Sequence, residues 1–180
     1  MLPIRTPRLT LRHLALDDAE FVVALLNDES FLRYIGDRGV RDVESAREYI
    51  RKGPAASYRR NGFGLYLVVL KDTGVPIGMC GLVKRDGLDD VDLGFAFMPQ
   101  YRSNGYAIES AAAVMKHARD DIGLGRVVAI TSPDNERSGK VLGRLGFVFE
   151  RMIRLPPEDT EIRLYGWSAD GAAERRSGGG

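Results

Sequence analysis

The segment VDLGFAFMPQYRSNGYA, residues 91–107, carries the strongest signal of the fold. Large apolar residues alternate with small or polar ones over 91–98, a period that is typical of a β-strand. A proline then ends the strand, and from Gly105 to Asp121 apolar residues recur at alternating spacings of three and four, which predicts a helix. The stretch therefore predicts a strand, a short turn and a helix.

The turn between this strand and this helix has the composition of a phosphate-binding loop. The leading amides of a helix lack internal partners and lie at the positive end of the helix dipole, so a short turn of small residues can cradle a diphosphate. Gly105 would let the backbone approach the ligand, although a glycine there could equally serve only to shape a tight turn. The candidate loop consists of Arg102, Ser103, Asn104, Gly105, Tyr106 and Ala107.

Two other phosphate-binding motifs do not fit the sequence. Gly139-Lys140 is followed by valine instead of serine or threonine and lies inside a helical pattern, which argues against a P-loop nucleotide hydrolase. A G-x-G-x-x-G segment after a strand is also missing, so a nicotinamide-dinucleotide enzyme loses its main support.

On either side of residues 91–107, the patterns predict a mixed α/β fold. An antiparallel meander is indicated by alternating runs at 64–71, 76–84 and 91–98, with turn residues at 72–74 and 86–87. We predict a mixed, mostly antiparallel sheet of about seven strands with helices on both faces. The other predicted elements are a strand over 8–14, helices over 17–27 (capped by Asp17 or Asp18), 28–35 and 43–61 (interrupted at Gly53-Pro54), a strand over 126–131, a helix over 135–145, and strands over 147–155 and 161–167.

Composition narrows the class of protein. The 180 residues fit a single domain over 1–168 with a polar tail over 169–180. With 26 basic and 25 acidic residues, the chain has no global charge that would favour nucleic acid or a membrane surface. One cysteine and two separated histidines argue against a disulfide framework or a metal cluster. We expect a cytoplasmic, metal-free protein without a signal peptide or membrane span, acting as a monomer or homodimer.

The loop sequence resembles a known family. Arg102-x-x-Gly105-x-Ala107 after a meander strand is similar to the coenzyme A-binding motif of the GNAT acetyltransferase superfamily. Asn135-x-x-Ser138 followed by Leu145-Gly146-Phe147 resembles the second conserved segment of that superfamily, and residues 4–12 resemble the start of its ribosomal-protein N-terminal acetyltransferase branch. The likeness extends to about Trp167. It implies an enzyme that moves an acetyl group from acetyl-coenzyme A to an amine without a metal.

The resemblance also implies how the cofactor is held. Backbone amides near the end of the fourth strand hold the pantetheine and the thioester carbonyl in the family, and these positions fall on Phe97 and Met98. Asn135 would hydrogen-bond the pantetheine arm, although an asparagine before a helix is equally explained as a cap. Each cation near the motifs could meet a phosphate group or could be only a surface charge. These cations are Arg102, Arg137 and Lys140.

Candidates for proton transfer are few. Asp92 resembles the acidic position of the family's E-x-G pattern and could accept the amine proton directly or through water, or could be a solvated carboxylate beside a turn. Many relatives protonate the leaving thiolate with a tyrosine at the position that is Leu142 here, which leaves Ser138 as the candidate acid or hydrogen-bond donor. We expect Cys80 to be buried and not to act as a nucleophile.

The acceptor is the least determined part of the reaction. An α-amine has a pKa near 8, against about 10.4 for lysine, so a weak base suits an α-amine better. The acceptor pocket is expected from Phe31 to Tyr34 and from the loop over 154–160. Both a protein N-terminus and a small amine, such as an antibiotic, a polyamine or an amino acid, remain open. Two other classes also remain open: a non-catalytic acyl-coenzyme A sensor and an interaction domain.

Overall fold

The fold was obtained as a computed structural model, which describes residues 3–156 and 159–170. A sheet of eight strands runs through it in the order β1-β2-β3-β4-β5-β6-β8-β7. Neighbouring strands are antiparallel except for the parallel pair β5 and β6. The strands are β1 Ile4–Arg5, β2 Leu9–His13, β3 Leu65–Leu70, β4 Pro76–Val83, β5 Asp92–Phe97, β6 Arg126–Thr131, β7 Val148–Arg154 and β8 Glu161–Ser168.

Helices cover both faces of this sheet, which confirms the predicted mixed α/β architecture. One apolar cluster joins α1 and α3 to one face, and a second joins α5 and α6 to the other. The alternation in β5 separates the two clusters, because Leu93 and Phe97 pack on the α5 side while Ala96 packs on the α1 side. The helices are α1 Ala19–Leu26, α2 Glu29–Tyr34, α3 Val43–Lys52, α4 Pro54–Asn61, α5 Tyr106–Asp120 and α6 Glu136–Arg144.

The sheet has eight strands, one more than the approximate number that we predicted. The additional strand, β1, has two residues and pairs with β2 through Ile4 opposite Leu11. Two residues are too few for an alternating pattern, so periodicity could not reveal this strand.

Helix boundaries agree with the predictions except for one cap. Gly53 separates α3 from α4, where Pro54 removes a backbone donor. Asp18 does occupy the predicted N-cap position of α1, after a 3₁₀ turn over Leu16–Asp18, but its side chain makes no capping hydrogen bond to this helix. Its carboxylate accepts instead from the Ala15 amide and the Arg12 guanidinium, both at 2.8 Å.

The parallel strands β5 and β6 diverge after a single bridge. Within the described residues, the two strands share a single bridge, Asp92 opposite Val128, with the Val128 N–H donating to the Val91 carbonyl at 2.9 Å. Both strands continue beyond this bridge without pairing to each other. The divergence opens a crevice that has Asp92 at its base.

Two further observations concern the described part of the chain. None of its helices is both long and apolar enough to cross a membrane. Of the tail predicted over 169–180, positions 171–180 lie outside the described residues.

Candidate active site

A large cleft occupies the crevice between β5 and β6. Its volume is about 1320 Å³, and residues from both faces of the sheet line it. The N-termini of α5 and α6 border it, together with α2, α3 and the β4–β5 hairpin. A cleft of this volume is large enough for a cofactor-sized ligand.

The predicted phosphate loop borders this cleft. A 3₁₀ turn over Pro99–Tyr101 leads into it, and Gly105, with a φ of 81°, is the N-cap of α5. No side chain caps this helix, so its leading amides have no side-chain acceptor. Ser103 has a φ of 63°, a left-handed conformation that is costly for a residue with a Cβ. The geometry is that of a backbone cradle for an anion.

Arg8 covers this loop, a contact that the sequence analysis missed. Its Nε donates to Glu109 Oε2 at 2.6 Å, and its Nη1 donates to the Asn104 carbonyl at 3.0 Å. The guanidinium carbon lies 4.5 Å from the centre of the Tyr106 ring. A Cβ placed on Gly105 would lie 3.3 Å from Arg8 Nη2, so the cation also borders the cradle.

Arg102 is held by protein groups on all three of its nitrogens. Nε donates to the Phe97 carbonyl at 2.9 Å, Nη1 to Ser30 Oγ at 2.8 Å and Nη2 to Asp28 Oδ2 at 2.5 Å. Asp28 also caps α2, accepting from the Ser30 and Phe31 amides. These contacts tie the loop to α2, and they direct the guanidinium into the protein.

The other two candidate cations are in a different situation. Arg137 and Lys140 are exposed on the first turns of α6 and line the cleft. Neither forms an ion pair with another residue in the described ranges 3–156 and 159–170. Their charge is therefore available to a ligand.

The Phe97 and Met98 amides, both expected to contact the cofactor, point in opposite directions from β5. The Met98 N–H donates to the Ile77 carbonyl at 2.9 Å, so the sheet already uses it, and the expectation that this amide holds the cofactor needs correction. Amides of an antiparallel strand alternate between its two neighbours, so the Phe97 N–H points to the β6 side. There the strands have parted, and the Phe97 amide faces the crevice.

The second motif forms the start of α6. Asn135 is the N-cap, and its Oδ1 accepts from the Ser138 amide at 3.2 Å, so the structural role is present. Ser138 is half-buried and lines the cleft. Leu142, at the family's tyrosine position, is buried in the core at 1% exposure. Ser138 is therefore the hydroxyl that this turn of α6 presents to the cleft.

Asp92 is buried, not solvated. It is 1% exposed, and Arg85 donates to its Oδ2 from Nε at 3.0 Å and from Nη2 at 2.8 Å. Oδ1 has no hydrogen-bond partner in the described part of the chain. Burial raises the pKa of Asp92 to about 6, against the opposing effect of Arg85. Arg85 was missed, although the hairpin register that pairs Val83 with Asp92 could have indicated it.

The segments expected to form the acceptor pocket do border the cleft. Phe31 belongs to the core at 6% exposure and touches the cleft with one side, while Tyr34 is half-buried. Leu155 and Thr160 line the cleft from the β7–β8 connection. Positions 157 and 158 of the predicted loop lie outside the described residues.

Cys80 is buried, as expected. Its side chain is fully inaccessible in β4, and burial raises the thiol pKa to about 12. It does not line the cleft. Across residues 3–156 and 159–170, no group of three or more His, Cys, Asp and Glu side chains could hold a metal ion.

Comparisons with known proteins identify the fold and the family. A family model described as an acetyltransferase (GNAT) domain matches residues 8–148. YnaD of Bacillus subtilis (strain 168), named an uncharacterized N-acetyltransferase, is 28% identical over 143 residues, which cover 79% of this chain and 81% of YnaD.

Solved structures agree with this match. An acetyltransferase from Agrobacterium tumefaciens str. C58 superposes with a TM-score of 0.78 at 27% identity, covering 93% of this chain and 94% of that one. RimL, a ribosomal L7/L12 alpha-N-protein acetyltransferase solved with coenzyme A, superposes with a TM-score of 0.81 over 94% of this chain and 99% of its own. At 17% identity, RimL shows a common fold alone. The family model spans most of the chain, and the chain therefore belongs to the GNAT family of acetyltransferase enzymes.

Proposed function

We propose that this acetyltransferase moves an acetyl group from acetyl-coenzyme A directly to a primary amine while both are bound in the cleft. The observation that carries the proposal is the parting of β5 and β6 beyond the Asp92–Val128 bridge, beside the uncapped N-terminus of α5. The part of the cleft beside α5 suits a diphosphate, and the remainder is open to an acceptor. Direct transfer needs such a shared space, because its rate depends on holding two reactants together.

The residues around the loop fit coenzyme A. The leading amides of α5, from Gly105 onward, have no competing side-chain cap and would hold the diphosphate. Arg8 borders this cradle, and Arg137 and Lys140 supply free positive charge at the start of α6. Asn135 uses Oδ1 as a cap, which leaves its Nδ2 donor for the pantetheine arm.

The chemistry has one covalent exchange. Acetyl-coenzyme A supplies a thioester whose C–S bond breaks as the C–N bond to the amine forms, while the amine loses a proton and the thiolate gains one. The Phe97 amide, directed into the crevice, would donate to the carbonyl oxygen as negative charge develops there. Ser138 would donate a proton or a hydrogen bond to the leaving sulfur. Asp92 is assigned to the amine proton through a water molecule, because its burial excludes direct contact.

For the acceptor we favour an α-amine, with a protein N-terminus as the first candidate and a small amine as the alternative. An unperturbed α-amine, with a pKa of about 8, is already partly neutral at pH 7 and needs only a weak base. The likeness of residues 4–12 to the ribosomal-protein branch supports the same choice. A wide cleft with an exposed rim would admit either class.

Calorimetric titration with acetyl-coenzyme A tests the cofactor site. Wild type is compared with Gly105→Glu, whose carboxylate would repel the diphosphate, and with Gly123→Glu as the control. Gly105 and Gly123 have the same φ of 81°, so the backbone strain of the two substitutions is matched, and Gly123 has open space around it. We expect binding by wild type and Gly123→Glu and loss of binding in Gly105→Glu.

Thiol release on a panel of amines and peptides then separates the enzyme from other classes. Binding without turnover of any amine would favour an acyl-coenzyme A sensor. An absence of binding in wild type would contradict the proposal and would favour an interaction domain that retains the fold.

A further inference from the structure

We propose that the protein forms a symmetric homodimer through the outer edge of β7, with the β7 strands of two copies paired antiparallel. Residues 148–153 form this surface, and they do not line the cleft. The dimer therefore does not depend on the proposed acetyl transfer. Its partner is a second copy of this chain.

The strand β7 is an exposed edge of the sheet. Among the described strands it pairs with β8 alone, so its outer backbone donors and acceptors face away from the sheet. Its side chains are also uncovered on both faces, because every residue over 148–154 is exposed except the half-buried Ile153. Another strand could therefore approach this edge without displacing a helix.

Apolar side chains are concentrated on this edge. Of the seven large apolar side chains that are exposed in the described part of the chain, three belong to β7: Val148 at 49%, Phe149 at 50% and Met152 at 38%. The Phe149 ring packs edge-on against Tyr165, with 5.9 Å between the ring centres, so its position is set before a partner arrives. Natural edge strands are usually short, charged or covered, and this one of seven residues favours pairing with another chain.

Phe149 and Met152 lie on the same face of the sheet. Residues directly opposite each other in an antiparallel pair point to the same face, and Phe149 lies opposite Tyr165. Met152 lies opposite Arg163, two positions before Tyr165 on β8 and therefore on the same face as Tyr165. Three positions of a regular strand would separate Phe149 and Met152 onto opposite faces, but the bulge between 149 and 151 shifts the alternation by one position.

The second face of β7 carries the charged pair. By the same rule it contains Val148, Arg151 and Ile153, which lie opposite Gly166, Leu164 and Ile162. Glu150 also points to this face, because a Cβ placed on Gly166 would overlap the Glu150 carboxylate. Glu150 and Arg151 are thus neighbours on one face, although they are consecutive in the chain.

The segment VFERMI, residues 148–153, is complementary to itself when it is reversed. A two-fold axis perpendicular to the sheet, passing between Glu150 and Arg151, places each residue opposite one of matching chemistry in the second copy. The three pairs are Glu150 with Arg151, Phe149 with Met152, and Val148 with Ile153. Such an axis keeps each side chain on its own face, so the two members of a pair must share a face. All three pairs meet this condition because of the bulge.

Charge favours the same pairing. Arg151 is exposed and forms no ion pair within the described ranges 3–156 and 159–170. The Glu150 carboxylate accepts from Arg126 Nη2 at 2.8 Å and keeps further acceptor capacity for a second guanidinium. The dimer would contain this Glu150–Arg151 contact twice, together with two Phe149–Met152 contacts between sulfur and aromatic ring.

The rest of this sequence offers no comparable occupant for the edge. Residues 1–2 precede β1, which forms the opposite edge of the sheet. The segment GAAERRSGGG, residues 171–180, contains no large apolar residue. A second copy of β7 matches the edge in both apolar and charged positions, so we assign the surface to it.

Sedimentation equilibrium of the full chain over about a hundredfold range of concentration tests the dimer. We expect a reversible monomer–dimer equilibrium, because the contact is a single strand pair. Met152→Lys should raise the dissociation constant at least about tenfold, since it replaces an apolar contact with a charge beside Phe149. Val75→Lys is the control: Val75 is also 38% exposed but lies in the β3–β4 turn, and its variant should dimerise as wild type does.

Cysteine pairing tests the register. Opposed residues of antiparallel strands have Cβ atoms about 4.5–5.5 Å apart, close to the range that a disulfide spans, whereas residues displaced by three positions are about 10 Å apart. Phe149→Cys mixed with Met152→Cys should therefore give a disulfide-linked dimer under mild oxidation, and neither variant alone should link to itself. Wild type gives the background, because Cys80 is fully buried.

The outcomes are decisive for this surface. A wild-type chain that is monomeric at every concentration overturns the proposal, as does a dimer that Met152→Lys does not weaken. If circular dichroism shows that Met152→Lys is unfolded, the cysteine mixture decides: linkage that exceeds both single variants supports the β7 pairing, and equal linkage overturns it. Acetyl transfer is unaffected by either result, because residues 148–153 lie outside the cleft.

Discussion

Arg8 and Glu109 form an ion pair at 2.6 Å that joins the first hairpin to the first turn of α5. Thr6 Oγ1 and the Arg8 amide also donate to Glu109 Oε1, at 2.6 and 2.8 Å. Burial opposes ionisation of Glu109, but these hydrogen bonds outweigh it, and the pKa of the carboxyl lies below its ordinary value. The predicted phosphate loop is therefore held by residues about a hundred positions away in the chain.

Arg8→Gln should weaken binding of acetyl-coenzyme A more than it slows the chemistry. The substitution removes the pair to Glu109, the bond to the Asn104 carbonyl and the cation beside the cradle. We expect the KM for acetyl-coenzyme A to rise about tenfold, which corresponds to about 1.4 kcal/mol, with kcat little changed. Steady-state kinetics at saturating acceptor measure both constants.

Arg5→Gln is the matched control, because Arg5 lies in the same hairpin and is exposed. Its kinetic constants should equal those of wild type. A similar rise in KM for both variants would show that general surface charge, not the Arg8 contact, is responsible.

Variants of Asn135 separate its cap from its proposed contact with the cofactor. Asn135→Ser keeps an oxygen acceptor for the Ser138 amide but removes the amide donor, whereas Asn135→Ala removes both. We expect Asn135→Ala to lose about 1 kcal/mol of unfolding free energy and Asn135→Ser to lose little. Both should raise the KM for acetyl-coenzyme A. Wild-type KM in Asn135→Ser would limit this residue to capping.

The pKa of Asp92, about 6, predicts a pH dependence with opposite signs for stability and activity. Folding raises this pKa above the unfolded value of 3.8, so the folded state binds more protons between these values. The stabilisation from protonated Asp92 is complete below pH 3.8 and is lost as the pH rises through about 6. In the proposed mechanism the Asp92 carboxylate takes the amine proton, so kcat/KM should rise over the upper part of this range.

Asp92→Asn should lack both effects, and this is measured by denaturant titrations and by kcat/KM from pH 5 to 9. Deprotonation of the acceptor amine gives a separate rise in kcat/KM near pH 8 or above, and the variant should keep this rise. If the rise in kcat/KM near pH 6 persists in Asp92→Asn, another group is responsible for that rise.

Cys80→Ala should retain transfer activity. The thiol is fully buried, its pKa is raised to about 12, and it lies outside the cleft. A thiol with these properties is a poor nucleophile, so direct transfer does not use it. Mass spectrometry should find no acetylated cysteine after wild type is mixed with acetyl-coenzyme A alone. Acetylated Cys80, or an inactive but folded Cys80→Ala, would contradict direct transfer.

Local sequence patterns were sufficient to predict most of the fold. The alternation over 91–98 and the helical spacing that follows are local patterns, and they predicted the strand, the loop and α5 close to their observed bounds. The turn residues predicted the antiparallel meander, and the two internal motifs indicated the family. Each of these signals depends on neighbouring residues, because backbone geometry repeats over two or 3.6 residues.

Which side chains meet at the site depends on contacts between segments that are distant in the sequence. Arg8 meets the cofactor loop, Arg85 covers Asp92, and Arg102 turns toward Asp28, from sequence separations between 7 and 101 positions. Burial of Asp92 likewise depends on strands and helices that pack around it from distant segments. A residue's identity gives its charge and its hydrogen-bonding groups, but its partner and its pKa depend on the packing that surrounds it.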